Sequence, residues 1–120
     1  MKIYLSGDMY SGWQDSFKKI EGHLYLDPRD HGLLMPEDYV KRDLEMVTEC
    51  DLVLAYLGEF NPSGIGLAVE LGYAKALGKP IWLVCDKKEA KWDFIRHLAN
   101  KTESTLAGLE RRLRAVGAKP

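Results

Sequence analysis

The apolar residues of this chain form short continuous runs that are separated by segments with helical spacing. Three runs predict buried strands: KIYLS (2–6), DLVLAYL (51–57) and PIWLVCD (80–86). A further strand is predicted for HLYLDP (23–28), and a weak pattern allows a short one near residues 104–106. Runs without a polar side suit strands that are covered on both faces, so the pattern favours a mainly parallel sheet.

Between the runs, apolar residues recur three or four positions apart, as in amphipathic helices. Helices are predicted over residues 11–20, 36–49, the stretch that follows GEFNPS (58–63) and ends before Gly78, 90–98 and 103–116. The second of them should bury Val40, Leu44 and Val47. Alternating strands and helices imply a doubly wound α/β fold of four to five strands, whose ligands bind beyond the carboxyl ends of the strands.

Composition narrows the possible partners. With 120 residues, the chain is long enough for one domain (1–120) and short for two. A formal net charge of −1 gives no basic surface for a nucleic-acid polymer or an anionic membrane, whereas a small ligand remains allowed. The two cysteines, Cys50 and Cys85, are too few for a disulfide framework. Without a signal-peptide or membrane-span pattern, we expect a cytoplasmic protein.

One carboxylate lies in an unusually apolar setting. Glu70 is the only charged residue between Asn61 and Ala74. Because burying a carboxylate costs free energy unless it is compensated, Glu70 either sits on a solvated helix edge or faces a cleft and takes part in chemistry. The residue pattern alone leaves both interpretations open.

The other candidates are weaker. Glycine-rich loops follow two strands, SGDMYSG (6–12) and SGIG (63–66), and could hold a phosphate or a hydroxyl at a helix start, or simply form tight turns. Asp43 borders the buried stripe of its helix, but it could equally pair with Lys41 or Arg42 on the surface. Tyr4 fits a core position, and Met9, Tyr10 and Trp13 could cradle a base or pack inside. The three histidines have no metal-site spacing, so no metal is predicted.

Three motifs together resemble the nucleoside 2-deoxyribosyltransferase superfamily, which includes relatives that hydrolyse the N-glycosidic bond of nucleoside monophosphates. The motifs are KIYLSG (2–7), RDLEMVTECDLVLAYL (42–57) and SGIGLAVELGYAKALGKPI (63–81). The resemblance covers residues 2–86. Its most specific part is the third motif, an E-L-G pattern that follows a glycine-rich turn.

The resemblance implies a role for each matching position. Glu70 would be the catalytic carboxylate that attacks the anomeric carbon of the sugar, Asp43 would orient the substrate or handle a proton on the leaving base, and Tyr4 would lie beside the glutamate. Ser63, Gly64 and Gly66 would contact the 5′ end of the substrate, and Ser6, Gly7 and Met9 would bind it from the first loop. Family members also complete their sites with a residue of a neighbouring subunit, for which Asn100 is a candidate.

Two departures from the family pattern bear on the substrate. Transferases often have an aspartate in the turn before the glutamate, where this chain has Ser63, Gly64 and Ile65. Monophosphate hydrolases tend to have a basic residue in the first glycine loop, where this chain has Asp8 and Met9; Asp8 should repel a phosphate. The base, the sugar and the need for a 5′ phosphate therefore stay open.

These observations lead to one main expectation. We predict a flavodoxin-like domain that forms a homodimer or a higher homo-oligomer, needs no cofactor and cleaves the N-glycosidic bond of a nucleoside or nucleotide. Hydrolysis is favoured over transfer because the turn before Glu70 lacks the aspartate. The alternative is a nucleotide-binding or sensing module that keeps the pocket without turnover.

Overall fold

Five strands form the sheet in a computed structural model that describes residues 1–116. They are β1 (Lys2–Gly7), β2 (Leu24–Leu26), β3 (Leu52–Leu57), β4 (Ile81–Cys85) and β5 (Lys101–Glu103). All neighbouring strands pair in parallel, in the order β2-β1-β3-β4-β5. The four strands predicted from apolar runs are present. The fifth lies at Lys101–Glu103 rather than at 104–106, because a short polar segment at the sheet edge pairs with β4 without an apolar pattern.

Five α-helices connect or follow the strands. They are α1 (Gln14–Lys18), α2 (Pro36–Glu49), α3 (Ile65–Ala76), α4 (Asp93–Arg96) and α5 (Leu106–Val116), with a 3-10 turn at Ala90–Trp92 before α4. The first helix is shorter than predicted because the backbone N–H groups of Tyr10 and Ser11 donate to the carboxylate of Asp8, which holds these residues in a turn. Within residues 1–116, no helix combines the length and apolarity that crossing a bilayer would require.

The sheet is covered on both faces. One apolar layer joins β1, β3 and β4 to α2 and α3, and the other joins the sheet to α1 and α5. In α2 the predicted buried stripe is partly wrong. Val47 is fully buried and Leu44 partly, but Val40 is 47% exposed, and Met46 occupies the core instead. Val40 lies near the start of α2, beside the carboxyl edge of the sheet, where less of the core covers it.

The strand order creates a crevice at one edge of the sheet. The chain leaves β1 towards β2 on one side and returns to β3 on the other, so the loops that follow β1 and β3 diverge at the carboxyl ends of these strands. Gly7 ends β1 with φ +115°, and a Cβ atom there would lie 2.1 Å from the carbonyl oxygen of Tyr56. The chain therefore needs glycine to leave the sheet at this point. The predicted doubly wound, flavodoxin-like α/β fold is confirmed.

Candidate active site

A cavity of about 680 Å³ lies at the carboxyl edge of the sheet, between the loops after β1, β2 and β3 and the first turns of α2 and α3. Its volume suits a small organic ligand. Seven of the nine residues predicted for the site line it: Gly7, Met9, Asp43, Ser63, Gly64, Gly66 and Glu70. The other two, Tyr4 and Ser6, are fully buried directly behind Glu70.

Two hydroxyl groups of β1 hold the carboxylate of Glu70. The Tyr4 hydroxyl donates to Oε2 at 2.8 Å, and the Ser6 hydroxyl donates to Oε1 at 2.7 Å. Tyr4 and Ser6 are two residues apart on one strand, so both side chains point to the α3 face of the sheet. Leu67, Leu71 and Ala74 pack α3 on that face and bring Glu70 over the end of β1. Glu70 is thus a compensated carboxylate at the cavity wall.

The surroundings of Glu70 favour its protonated form more than water does. Burial raises the pKa of Glu70 to about 7, the nearby charge of Asp43 adds to the increase, and the hydrogen bonds from Ser6 and Tyr4 oppose it. The pKa of Tyr4 is raised far above its usual value, first by burial and then by the charge of Glu70. Tyr4 therefore remains a neutral hydrogen-bond donor, and Glu70 changes charge close to neutral pH.

Asp43 faces the same cavity from α2, and its partner is a histidine. The distance between His31 Nε2 and Asp43 Oδ1 is 2.8 Å, and His31 Nδ1 accepts the backbone N–H of Leu33 at 2.9 Å. Because Nδ1 acts as the acceptor, Nε2 carries the proton and donates to Asp43. Burial raises the pKa of Asp43, and the hydrogen bond from His31 lowers it. Asp43 does not form the predicted alternative, a surface pair with Lys41 or Arg42.

The turn before α3 forms another wall of the cavity. Gly64 precedes the helix with φ +109°, and a Cβ atom there would come within 3.0 Å of the Trp92 ring, so both the backbone conformation and the packing require glycine. The Ser63 hydroxyl accepts the N–H of Ile65. The first turn of α3 thus presents its backbone to the cavity, and a helix start of this kind favours anionic or hydroxyl groups.

Two other residues named from the sequence do not line the cavity. The carboxylate of Asp8 accepts backbone N–H groups of its own loop, between the lining residues Gly7 and Met9, and its repulsion of a phosphate stays a prediction. Asn100 exchanges two hydrogen bonds with the backbone of Ile81, at the amino end of β4. That end is opposite the cavity edge of the same chain, and the Asn100 side chain holds the start of β4; its contribution to the site of a neighbouring subunit stays a prediction.

Sequence reasoning did not identify the loop between β2 and α2 as a cavity wall. This loop contributes Arg29, His31, Leu33 and Leu34. The guanidinium of Arg29 pairs with Asp27 and Asp15, and these bonds raise its pKa, so Arg29 stays cationic and largely committed to the fold. The loop has neither periodicity nor a specific motif. The one available signal was an isolated histidine after a strand, which spacing alone did not connect to Asp43.

A metal ion finds few ligands in this site. In the part of the chain that the structure describes, no three His, Cys, Asp or Glu side chains lie close enough together to hold one. The groups that line the cavity instead suit hydrogen bonding and proton transfer: two carboxylates, one imidazole and the backbone at the start of α3. This arrangement has the components of acid–base and nucleophilic catalysis on a small molecule.

Comparison with known proteins agrees with the fold and the motifs. The family described as nucleoside 2-deoxyribosyltransferase matches residues 23–107. A solved 2-deoxyribosyltransferase from Bacillus psychrosaccharolyticus is 24% identical, with a TM-score of 0.75, over 92% of this chain and 90% of that one. A CMP N-glycosidase from Clostridium botulinum is also 24% identical, with a TM-score of 0.69, over 97% and 99% of the two chains.

A third solved structure, a 2-deoxyribosyltransferase from Leishmania mexicana, is 24% identical with a TM-score of 0.61, and the match covers 78% of this chain and 69% of that one. A search of curated proteins finds no match. At this level of identity, the solved structures establish a shared fold. The family match is broader evidence, because it runs from the start of β2 into α5 and spans well over half of the sequence. The protein belongs to the nucleoside 2-deoxyribosyltransferase family.

Proposed function

We propose that this protein cleaves the N-glycosidic bond of a nucleoside or a nucleoside 5′-monophosphate, with Glu70 as the nucleophile. The observation that carries the proposal is the carboxylate of Glu70, which two buried hydroxyl groups orient at the wall of a cavity that Asp43 also lines. A carboxylate held in this way suits attack on a carbon that develops positive charge.

The reaction would proceed in two steps. In the first, an oxygen of ionised Glu70 bonds to the anomeric carbon while the bond from that carbon to the base nitrogen breaks, and the departing base receives a proton. In the second, water or another base bonds to the anomeric carbon as the bond to Glu70 breaks, and the proton that it loses restores the group that protonated the first base. Water gives hydrolysis, and a second base gives transfer. The Ser63–Gly64–Ile65 turn, which lacks the aspartate common in transferases, favours hydrolysis.

Asp43 would assist the leaving base. Its pKa is raised by burial, so a proton is easier to keep there than on an exposed aspartate. His31 donates to Oδ1, and Oδ2 has no hydrogen-bond partner within residues 1–116, which leaves that oxygen available to the base. In this proposal Asp43 orients the base or transfers the proton, and His31 is a positioning residue.

Tyr4 and Ser6 would act through Glu70. Tyr4 was predicted to be catalytic and Ser6 to bind substrate, but both are fully buried and their hydroxyl groups are committed to the two oxygens of Glu70. We assign them the role of orienting the carboxylate and stabilising its charge. Gly7, Met9, Ser63, Gly64 and Gly66 line the cavity and would contact the sugar, its 5′ end or the base.

The decisive experiment removes the charge of Glu70 and keeps its shape. Purified wild-type protein and Glu70→Gln are incubated with a panel of ribo- and deoxyribonucleosides and their 5′-monophosphates, and free base is measured by chromatography with and without an acceptor base. We expect the substitution to lower turnover by at least about a thousandfold, as loss of a nucleophile does. Intact-mass analysis of the quenched reaction should detect a glycosyl adduct on wild-type protein alone.

A matched control is Glu110→Gln, the same change on α5 at the opposite face of the sheet, which should leave turnover unchanged. Folded Glu70→Gln with wild-type turnover would eliminate the mechanism. If wild-type protein instead binds members of the panel tightly and releases no base during long incubation, the alternative of a binding or sensing module replaces the enzymatic one.

A further inference from the structure

Within residues 1–116, Arg29 is the one arginine or lysine that lines the cavity. It lies in the loop between β2 and α2, two residues before His31, whose Nε2 is 2.8 Å from Asp43. Its side chain is 25% exposed, so a ligand in the cavity can reach it. The proposed reaction gives no task to this guanidinium.

A buried carboxylate fixes the direction of the Arg29 side chain. Asp27, whose side chain is fully buried, accepts from Nε at 3.0 Å and from Nη2 at 2.7 Å, and Asp15 accepts from Nη2 at 2.8 Å. Within residues 1–116, Nη1 makes no hydrogen bond. Because the guanidinium is planar and rigid, Nη1 lies on the side away from Asp27. Its two N–H groups are therefore oriented in advance and have no partner in this part of the chain.

The strand order indicates which part of a substrate would lie beside Arg29. Glu70 lies over the end of β1, and β2 and β3 flank β1 on opposite sides. The loop after β3 leads to Gly64 at the start of α3, the proposed site of the 5′ end, and the loop after β2 contains Arg29 and His31. In a nucleoside, the base and the 5′ carbon extend from the sugar in different directions. A sugar at Glu70 with its 5′ end near Gly64 would therefore direct its base towards Arg29.

We infer that Arg29 binds the base and selects a base with a carbonyl oxygen, such as hypoxanthine or uracil, over one with an amino group at the same position, such as adenine or cytosine. This inference rests on the proposed function for the placement of the sugar. A guanidinium can only donate, so Nη1 can bind a carbonyl oxygen with a charge-assisted hydrogen bond. An amino group is itself a donor and would leave the N–H groups of Nη1 unpaired, which costs affinity in a site that excludes water. Since Asp27 holds the guanidinium, Arg29 cannot turn away without breaking two hydrogen bonds.

Equilibrium binding tests this preference without turnover. Glu70→Gln, which lacks the proposed nucleophile, is titrated calorimetrically with pairs of nucleosides that differ at one position of the base: inosine and adenosine, uridine and cytidine, and their 2′-deoxy forms. For the pairs that bind, the member with the carbonyl oxygen should have a dissociation constant about 10- to 100-fold lower, as expected for one well-placed arginine contact. This first measurement needs no change at Arg29.

A second variant assigns the preference to Arg29. Arg29→Lys, added to Glu70→Gln, keeps a cation beside Asp27 but has no second nitrogen for the cavity, so the two dissociation constants should come within about threefold of each other. Arg112→Lys is the matched control. Arg112 is also held by a carboxylate, that of Glu103 at 3.0 Å from Nε and 2.9 Å from Nη2, but it lies on α5 outside the cavity. The control should keep the full preference.

The outcomes separate this inference from the proposed reaction. Equal binding of both members of every pair, no binding of either member, or the same preference in Arg29→Lys as in Arg112→Lys would overturn the inference. It would also be overturned if Arg29→Lys removed a preference for 5′-monophosphates over nucleosides and left the base preference intact, because Arg29 would then bind the phosphate. A base preference that depends on Arg29, in a wild-type protein that releases no base, would support the inference and overturn the reaction.

Discussion

The two walls of the cavity are built differently. The inner wall consists of Tyr4 and Ser6 on a central strand and Glu70 on the helix above it, joined by two hydrogen bonds in the apolar core. The outer wall consists of the loop between β2 and α2, whose contact with Asp43 is the single hydrogen bond from His31. Leu34 of this loop is 88% exposed. One wall is fixed by the apolar core, and the other is held by polar contacts: ion pairs of Lys18 and Arg29 join it to α1, and one hydrogen bond joins it to Asp43.

This difference suggests a division of labour. In the proposed reaction, attack on an anomeric carbon needs a carboxylate of fixed direction, and a packed strand and helix would supply that rigidity. The base must receive a proton and depart, and an exposed loop beside Asp43 would allow that exchange. The free energy of folding should therefore respond most strongly to changes in the inner wall. Changes in the outer wall should act mainly on turnover.

The largest expected effect is on stability and comes from Glu70. Its pKa is raised from 4.5 to about 7 on folding, so between these values the folded protein binds more protons than the unfolded chain. The free energy of unfolding should therefore fall as pH rises from 4.5 to about 7, by up to about 3 kcal/mol, and this contribution should change little above pH 7. Urea denaturation at a series of pH values measures it.

Glu70→Gln is the comparison for that experiment, because a neutral amide cannot titrate. The difference in unfolding free energy between wild type and variant should grow with pH up to about 7 and then stay constant. A wild-type curve parallel to that of the variant over this range would show that the folded protein ionises Glu70 as readily as the unfolded chain does. The pKa of Glu70 would then give no reason to expect that changes in the inner wall affect the free energy of unfolding more than changes in the outer wall.

A smaller effect is expected when one hydrogen bond of the inner wall is removed. Tyr4→Phe deletes the donor to Oε2 of Glu70, and hydrogen bonds to charged groups contribute about 1.5–3 kcal/mol, so kcat/KM should fall roughly 10- to 100-fold. In the wild-type protein this hydrogen bond lowers the pKa of Glu70. Its loss should therefore raise that pKa and move the acidic limb of the pH–rate profile to higher pH.

Tyr56→Phe provides a matched control for this substitution. The Tyr56 hydroxyl also donates to a carboxylate, that of Asp86 at 2.8 Å, but neither residue lines the cavity. The control variant should keep the wild-type profile. An equal loss in both variants would mean that a general loss of stability, rather than the orientation of Glu70, explains the Tyr4 result.

The same contrast separates what the sequence predicted from what it missed. β1, β3 and β4 were predictable because a strand covered on both faces is a continuous apolar run, and Glu70 stood out as one charge in such a region. The inner wall consists of one of these strands, β1, and of the helix that carries Glu70. The burial of Tyr4 and Ser6 behind Glu70 was not predictable from the sequence. Whether a hydroxyl group faces a ligand or a neighbouring side chain depends on how α3 lies over β1.

The outer wall had no comparable signal. His31 is twelve residues before Asp43 in a loop of mixed composition, and only the folded chain brings the two side chains together. Similarly, β5 is a polar edge strand, which pairs through its backbone and therefore shows no pattern of apolar side chains. Features that depend on backbone pairing or on loop closure were the ones that sequence patterns did not reveal.

The smallest effect concerns His31, and two substitutions separate its two bonds. His31→Gln keeps an N–H donor near the position of Nε2 for Asp43, whereas His31→Asn keeps an acceptor near Nδ1 for the Leu33 N–H and loses the donor. If His31 positions Asp43, His31→Asn should lower kcat by roughly 3- to 10-fold, which corresponds to the loss of one hydrogen bond, and should change KM little. His31→Gln should stay close to wild type.

The reverse order of the two variants would mean that the bond to Leu33 matters more. The loop between β2 and α2 would then serve to shape the cavity, and Asp43 would act without help from its histidine.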